Sequence, residues 1–394
     1  DPDLFAGGGG NFAPPSSNTI QNFLYQNNGK GQMTLQRGAL PQLNTNCGAV
    51  VVLDYNEDGW PDLFVGSRST PQSYGEPAPS FILKNMQGTG FEDVTATVAP
   101  ALTQLGMVTA AALADIDKDG KQELVVTGDW MAPQIFFIRN QQLQSVKETG
   151  LEQAFGWWQS LAVADIDLDG DADLVLGNLG ENFYLRATAQ QPVRLYVADF
   201  DQNGTREKVL TRTVDGKEVP VFMRREMTEQ IPVLKKQNLK HQEYAKKTIK
   251  DLFGKNLASA QKLTVTNSAS CVALNNGKGQ FTLQRFPDPV QFSSINAIQL
   301  TDINKDGYPD LVMGGNFFDL MPQLCRLDAS YGHVLINDRK GGFSLLPMSA
   351  TGINVPGQTR DIISLPWRNQ PGFLFLVNNQ QPVWYRIQAT VMPQ

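Results

Sequence analysis

Hydrophobic positions in this chain come in short runs separated by polar turns. Ala49-Val-Val-Val-Leu53 is followed by Leu63-Phe-Val-Gly66, Ala110-Ala-Ala-Leu-Ala114 by Leu124-Val-Val-Thr127, and Leu161-Ala-Val-Ala164 by Leu174-Val-Leu-Gly177. Apolar runs of four to eight residues bounded by Gly and Asp predict buried strands. Each pair flanks one acidic stretch and so predicts a hairpin. A second kind of break is Asn27-Asn-Gly-Lys-Gly-Gln-Met-Thr-Leu-Gln-Arg37, which returns at Asn275–Arg285 with one difference in eleven. Looser copies begin at Lys84 and Asn337. Asn-Gly and Gly-x-Gly between apolar runs mark hairpin turns. The predicted unit is therefore strand, acidic loop, strand, connection, strand, Gly turn, strand. Glu226–Phe253 breaks the pattern. Its apolar Tyr244, Ala245, Ile249, Leu252 and Phe253 fit one helical face, and Pro232 fits a helix start.

The acidic stretch occurs five times and carries the chemistry. Its ligand positions are 1, 3, 5, 7 and 9, with Gly at 6. They fall on Asp54, Asn56, Asp58, Trp60 and Asp62; on Asp115, Asp117, Asp119, Lys121 and Glu123; and on Asp165, Asp167, Asp169, Asp171 and Asp173. The fourth and fifth sets are Asp199, Asp201, Asn203, Thr205 and Glu207, and Asp302, Asn304, Asp306, Tyr308 and Asp310. Hard cations such as calcium take about six to eight oxygens. Alternate side chains supply several of them, position 7 offers its backbone carbonyl, and the Gly lets the chain reverse. An EF-hand would close with Glu at position 12 and enter a helix. Here position 12 is Val65, Val126, Leu176, Leu210 or Met313. The loops thus predict about five calcium ions held at hairpin tips.

Residues 1–7 match the loop from position 7 onward, and Asp361–Trp367 with Gly372–Val377 look like a unit without acids. That makes seven units, the first truncated and the last metal-free. Four-stranded repeats of this length predict an all-β, seven-bladed β-propeller with calcium-binding hairpin loops. The expectation is a single domain over 1–394, with a helical insertion at 226–258 accounting for the long spacing from Gly204 to Gly307.

Composition narrows the function classes. The formal charge is −6, and the loops account for the acidity. No basic stripe interleaved with aromatics supports nucleic-acid binding. No run of about 18 apolar residues predicts a membrane-spanning helix. The chain opens on Asp without a signal peptide, as a processed or trimmed chain would. Cys47, Cys271 and Cys325 are expected as free thiols, His241 as solvated and His333 as structural. No nucleophile elbow, zinc motif or phosphate loop is present. Trp130, Trp157, Trp158, Asn178, Asn182 and Tyr184 are the candidate ligand-binding residues, since aromatics with amides suit sugars or peptides, and packing between blades is the alternative for Trp157 and Trp158. Six lysines between Lys235 and Lys250 form a solvated face or a docking surface.

The Asp-x-Asp-x-Asp-Gly-x-x-Asp pattern with the downstream Asn-Gly turn resembles the FG-GAP/VCBS repeats of integrin α-subunit propellers. Gly156–Ser160, Gly177–Asn182, Gln230–Lys236, Thr248–Phe253 and Asp328–Gly332 are similar to bacterial (Bacteroidota) VCBS-repeat proteins of the ASPIC/UnbV-associated type. The resemblance implies a secreted or outer-membrane-associated calcium-binding module that recognises a glycan, a peptide or an envelope protein, such as an outer-membrane nutrient transporter. A lyase-like carbohydrate-active enzyme on the same scaffold, or a fragment of a larger adhesin, are the alternatives.

Overall fold

The computed structural model describes residues 1–10, 14, 17–368 and 370–387. These fold into seven antiparallel sheets. Sheet one holds Leu4–Ala6, Phe23–Asn27 and Met33–Leu35. Sheet two is the meander Asn46–Leu53, Asp62–Ser69, Phe81–Asn85 and Phe91–Asp93. Sheet three is Met107–Ala114, Glu123–Met131, Gln134–Arg139 and Gln142–Ser145, with Gly156–Trp157 paired to its second strand. Sheet five is Ile295–Thr301, Asp310–Gly315, His333–Asn337 and Phe343–Leu345, and sheet six is Thr359–Ser364, Gly372–Val377 and Val383–Arg386.

Sheet four departs from the serial arrangement expected. Ser160–Ala164 and Asp173–Gly177 are completed by Cys271–Asn275 and Phe281–Arg285, with Leu174 opposite Ala273. Between its second and third strands lies a further sheet made of Val193–Ala198, Glu207–Val214, Lys217–Pro220 and Gln261–Val265. The fourth acidic loop belongs to this inserted sheet. Seven sheets are present, but seven units in series are not.

In sheets two to five the apolar run after each acidic loop is continuous because that strand is buried on both faces, while the run before the loop is half-buried. In sheet two, Leu63, Val65 and Leu83 pack with Phe5 of sheet one, while Phe64 and Ile82 pack with Val108, Leu124 and Phe136 of sheet three. Sheet three then sends Val125 and Ile135 toward Leu174 and Leu176 of sheet four. Val175 and Val272 face Leu311 and Leu335 of sheet five, whose Val312 and Val334 meet Phe373 and Phe375 of sheet six. Strand alternation thus distributes one sequence run between two cores.

The first strands of sheets three, four and five hand on to the next sheet through single side chains. Thr109 donates to the Trp158 carbonyl at 2.5 Å, Ser160 to that of Ile295 at 2.9 Å, and Asn296 to that of Thr359 at 3.3 Å. Gly48 shows the same approach without a side chain. A Cβ there would lie 2.0 Å from the Val108 carbonyl oxygen, so only Gly fits.

The helical stretch consists of short pieces: Arg224–Gln230, Leu234–Gln237, His241–Tyr244 and Ile249–Phe253, followed by the tight turn Gly254–Ala258. Thr248 and Asp251 form a reciprocal capping box that starts the last helix. Tyr244, Ile249, Leu252 and Phe253 pack with Met227 and Ile231 against Tyr196, Phe200 and Val209 of the inserted sheet. Ala245 does not share that face; it is exposed, because the chain turns after Tyr244 instead of continuing one helix. The interruption is also larger than 226–258, since it carries its own sheet.

Candidate metal centres

All five acidic loops adopt one backbone. Position 4 takes a left-handed conformation although no Gly stands there: φ is 58° at Glu57, 61° at Lys118, 59° at Leu168, 61° at Gln202 and 62° at Lys305. The Gly at position 6 is also left-handed, from 82° at Gly59 to 91° at Gly170. Such a conformation is strained for a side chain like that of Leu168. Hydrogen bonds to the acidic side chains hold it. Position 1 accepts the Gly N–H in every loop, at 2.9 Å for Asp54, Asp165 and Asp302, 3.0 Å for Asp115 and 2.8 Å for Asp199. Position 5 accepts the N–H of position 7, from Trp60 to Asp58 through Tyr308 to Asp306. Position 9 accepts the N–H of position 2, for example Ile116 to Glu123 at 2.8 Å and Ile166 to Asp173 at 2.9 Å.

Where position 9 is Asp, its second oxygen accepts another backbone N–H. The donors are Asn85 to Asp62 at 2.7 Å, Asn275 to Asp173 at 2.7 Å and Asn337 to Asp310 at 2.9 Å. Asn27 donates to Asp3 at 2.9 Å in the same relation, as the match of residues 1–7 to a loop end requires. The asparagine side chains extend the latch. Asn275 Nδ2 donates to the carbonyl of Ile116, and Asn337 Nδ2 to that of Ile166, both at 2.8 Å and both in the preceding sheet's loop. These asparagines read as turn residues in the sequence. Their recurrence just before each Gly turn was the signal for a second role.

The carboxylates converge in three loops. Asp115, Asp117 and Glu123; Asp165, Asp167 and Asp173; and Asp199, Asp201 and Glu207 each bring three ligand oxygens within 4.8 Å of one another. Several buried oxygens here lack any hydrogen-bond partner: Asp115 Oδ1, Asp167 Oδ1, Asp201 Oδ1, Glu207 Oε1 and both oxygens of Asp171. A buried carboxylate oxygen without a partner is costly. Burial, with the neighbouring acids adding to it, pushes Glu123 up to about 7 and Asp173 up to about 6, and raises Asp167 and Glu207. All-oxygen, anionic and underpaired, the three sets fit a hard divalent cation.

The other predicted ligands divide. Asp119 and Asp169 lie outside these clusters. In the first and fifth loops position 3 is Asn. Asn56 and Asn304 donate to Asp58 and Asp306 at 3.0 and 3.2 Å, and no three-carboxylate cluster forms there among the described residues. Protein cations also reach the loops. Arg139 contacts Asp117 and Asp119 at 2.9 and 3.3 Å, and Arg339 contacts Asp306 at 3.0 Å. Lys121, at position 7 of the second loop, meets Glu57, at position 4 of the first, at 2.6 Å. Lys118, at position 4 of the second loop, meets Asp171, at position 7 of the third, at 3.6 Å. These pairs stitch neighbouring loops edge to edge, and the exposed ones contribute little energy.

The aromatic and amide candidates occupy a different place from a ligand surface. Trp157, Trp158 and Asn178 are buried, and Trp130 is 7% exposed. Trp158 Nε1 donates to the Ala154 carbonyl, and Trp130 packs edge-on against Trp157 with its Nε1 donating to Tyr74. Asn178 Oδ1 accepts from the Trp157 and Leu179 N–H groups. The indole N–H groups of Trp130 and Trp158 and the Asn178 amide are thus engaged within the protein, and the rings are core. Only Asn182 and Tyr184 are exposed, and Arg212 covers the Tyr184 ring at 3.7 Å. His333 is buried, which pushes it down to about 4, and His241 is exposed. Among the described residues the three cysteines are free, and no helix is long and apolar enough to cross a membrane.

The family model of the FG-GAP-like repeat matches residues 1–65 and 115–176, and that of the FG-GAP repeat matches 157–197. Residues 1–65 and 115–197 thus match FG-GAP repeats. The matched segments contain the first, second and third acidic loops, in which position, spacing and backbone coincide. No curated protein matches the sequence. Among solved structures, BBS1N in complex with ARL6DN, soaked with mercury, is similar over 94% of this chain and 88% of that one, at 11% identity and a TM-score of 0.33. The Vibrio (V.) cholerae biofilm matrix protein Bap1 is similar over 84% of this chain and 60% of that one, at 10% identity and a TM-score of 0.31. Similarity this loose speaks for neither the fold nor the function of this chain.

Proposed function

We propose that this protein is a calcium-stabilised propeller that serves as a binding or accessory module at the cell surface. Six of its sheets act as successive blades, and the seventh is an insert carried by the fourth. The recognised partner is an envelope protein, such as an outer-membrane nutrient transporter, or a glycan or peptide. FG-GAP repeats are typical of adhesion and binding modules, which supports the class. The finer likeness to bacterial ASPIC/UnbV-associated proteins supports the location. The exposed lysines 235, 236, 240, 246 and 250 offer a docking face for an acidic partner.

The observation that carries the reading is the set of buried, unpartnered carboxylate oxygens in the second, third and fourth loops. Calcium would be held by Asp115, Asp117 and Glu123, by Asp165, Asp167 and Asp173, and by Asp199, Asp201 and Glu207. The first and fifth loops share the backbone but carry Asn56 and Asn304 at position 3, so they bind more weakly and fill only at higher calcium to complete a total of about five ions. Bound calcium neutralises the clustered charge and is linked to folding. Metal analysis after dialysis into millimolar calcium, with thermal unfolding before and after EDTA, tests this. At least three ions per chain and a clear fall in Tm on chelation are expected. A metal-free protein with unchanged Tm would sink the reading.

A further inference from the structure

Position 2 of each acidic loop is an apolar residue that enters the core of a neighbouring module. Tyr55 packs with sheet three, Ile116 with sheet four, Ile166 with sheet five and Ile303 with sheet six. In two of these loops the position-2 carbonyl also accepts an Asn side chain from the neighbour, Asn275 or Asn337. The fourth loop repeats both relations with a different neighbour. Phe200 packs against Phe253 at 4.4 Å between ring centroids, and its carbonyl accepts Asn256 Nδ2 at 3.4 Å. Here the neighbour is the helical stretch, which takes the place that the next sheet takes elsewhere.

The same residue is tied to the metal ligands. The Phe200 N–H donates to Glu207 Oε2 at 2.7 Å, while Glu207 Oε1 and Asp201 Oδ1 are buried without partners. Glu207 is only 3% exposed. We propose that a calcium ion in the fourth loop docks the helical segment Arg224–Ala258 onto the inserted sheet. The ion fixes Glu207, Glu207 fixes Phe200, and Phe200 with Asn256 fixes the helices. Loss of the ion releases the segment and its lysine-rich face. Among the described residues the loops of sheets two, three, four and five have no comparable dependent, because they dock onto sheets whose strands are already paired. The inference rests on the calcium reading above.

Trypsin reports the device directly, since Lys235, Lys236, Lys240, Lys246 and Lys250 are exposed on the segment. Cleavage between Lys235 and Lys250 follows the population of the undocked state. In calcium, Glu207→Gln should speed that cleavage about fivefold or more over Asp167→Asn, whose loop lies in sheet four. Calcium content is measured on the same samples. A Glu207→Gln protein that keeps the full count removes the fourth metal site itself. One that loses an ion yet is cleaved no faster than Asp167→Asn leaves the metal reading standing and refutes the docking. Asn256→Ala probes the link from the other end with every carboxylate intact. Because coupling is reciprocal, it should weaken the binding of one ion only. An unchanged calcium titration with unchanged cleavage in Asn256→Ala also refutes the docking.

Discussion

The first and third acidic loops share a backbone and differ in what that backbone encloses. Both place position 4 left-handed, both hold the Gly N–H on the first Asp at 2.9 Å, and both have an Asn N–H donating to the last Asp at 2.7 Å. In the third loop Asp165, Asp167 and Asp173 converge, and Asp167 keeps an unpartnered buried oxygen. In the first loop Asn56 stands at position 3 and donates to Asp58. The hairpin tip is therefore built by hydrogen bonds common to both, and the convergence of three carboxylates is a further property that follows the residue at position 3. The latches differ too. Asn275 Nδ2 reaches both Ala172 and Ile116, whereas Asn85 Nδ2 is bound only to Pro61 in its own sheet.

That last difference gives the largest expected effect. Asn275→Ala leaves the buried carbonyl of Ile116 unpaired and cuts a bond between sheets three and four, at a cost of roughly 2–4 kcal/mol. Asn85→Ala should cost roughly 1–2 kcal/mol, since its loss stays within one sheet. Urea unfolding of the two variants measures both. Equal costs would mean that the bond between sheets adds nothing to the latch.

A second test separates the loops by pH. Burial raises Glu123 to about 7 and Asp171 and Asp173 to about 6, so the calcium-free fold binds these protons more tightly than the unfolded chain. This contribution is complete below the ordinary carboxylate range and is lost as pH rises through 6 to 7. With EDTA present, stability should fall between pH 5 and 7.5, by an amount on the order of 1–3 kcal/mol. With calcium the slope should reverse, because the ion binds the deprotonated form. Parallel Tm-versus-pH curves in EDTA and calcium would show that these acids do not face a cation.

Much of this is legible in the sequence. The strands flanking each loop announced themselves because both faces of runs such as Leu63–Val65 and Leu174–Leu176 are buried, leaving no polar alternation to disguise them. Loop chemistry was legible because ligands and turn-forming Gly lie within nine residues. What failed was pairing at long range. Nothing near Asp173–Gly177 says that Cys271–Asn275 completes its sheet, and the loop at Asp199 looks local and ordinary while belonging to an insert. Trp157 and Trp158 left two readings open for a related reason. An aromatic beside amides suits a binding surface or a core equally, and only the contacts of Asn178 and Ala154 decide for the core. Asn275 hid its second role because one side chain serves its own turn and the loop of the preceding sheet.

The smallest effect tests position 3 itself. Asp167→Asn in the third loop should cost one calcium ion and, at calcium about ten times Kd, roughly 1.4 kcal/mol of stability. Asn56→Asp in the first loop should gain an ion, since the amide that now caps Asp58 becomes a third carboxylate beside Asp54 and Asp62. Each exchange leaves the position-1 and position-9 hydrogen bonds in place, so EDTA-treated variants should unfold close to the parent. Calcium titration of the two proteins reads the exchange as an ion lost and an ion gained. If Asn56→Asp binds no additional calcium while Asp167→Asn loses one, the shared backbone is not enough, and the loops differ in more than the residue at position 3. The stitch from Lys118 to Asp171, absent from the first loop, is then the next feature to transplant.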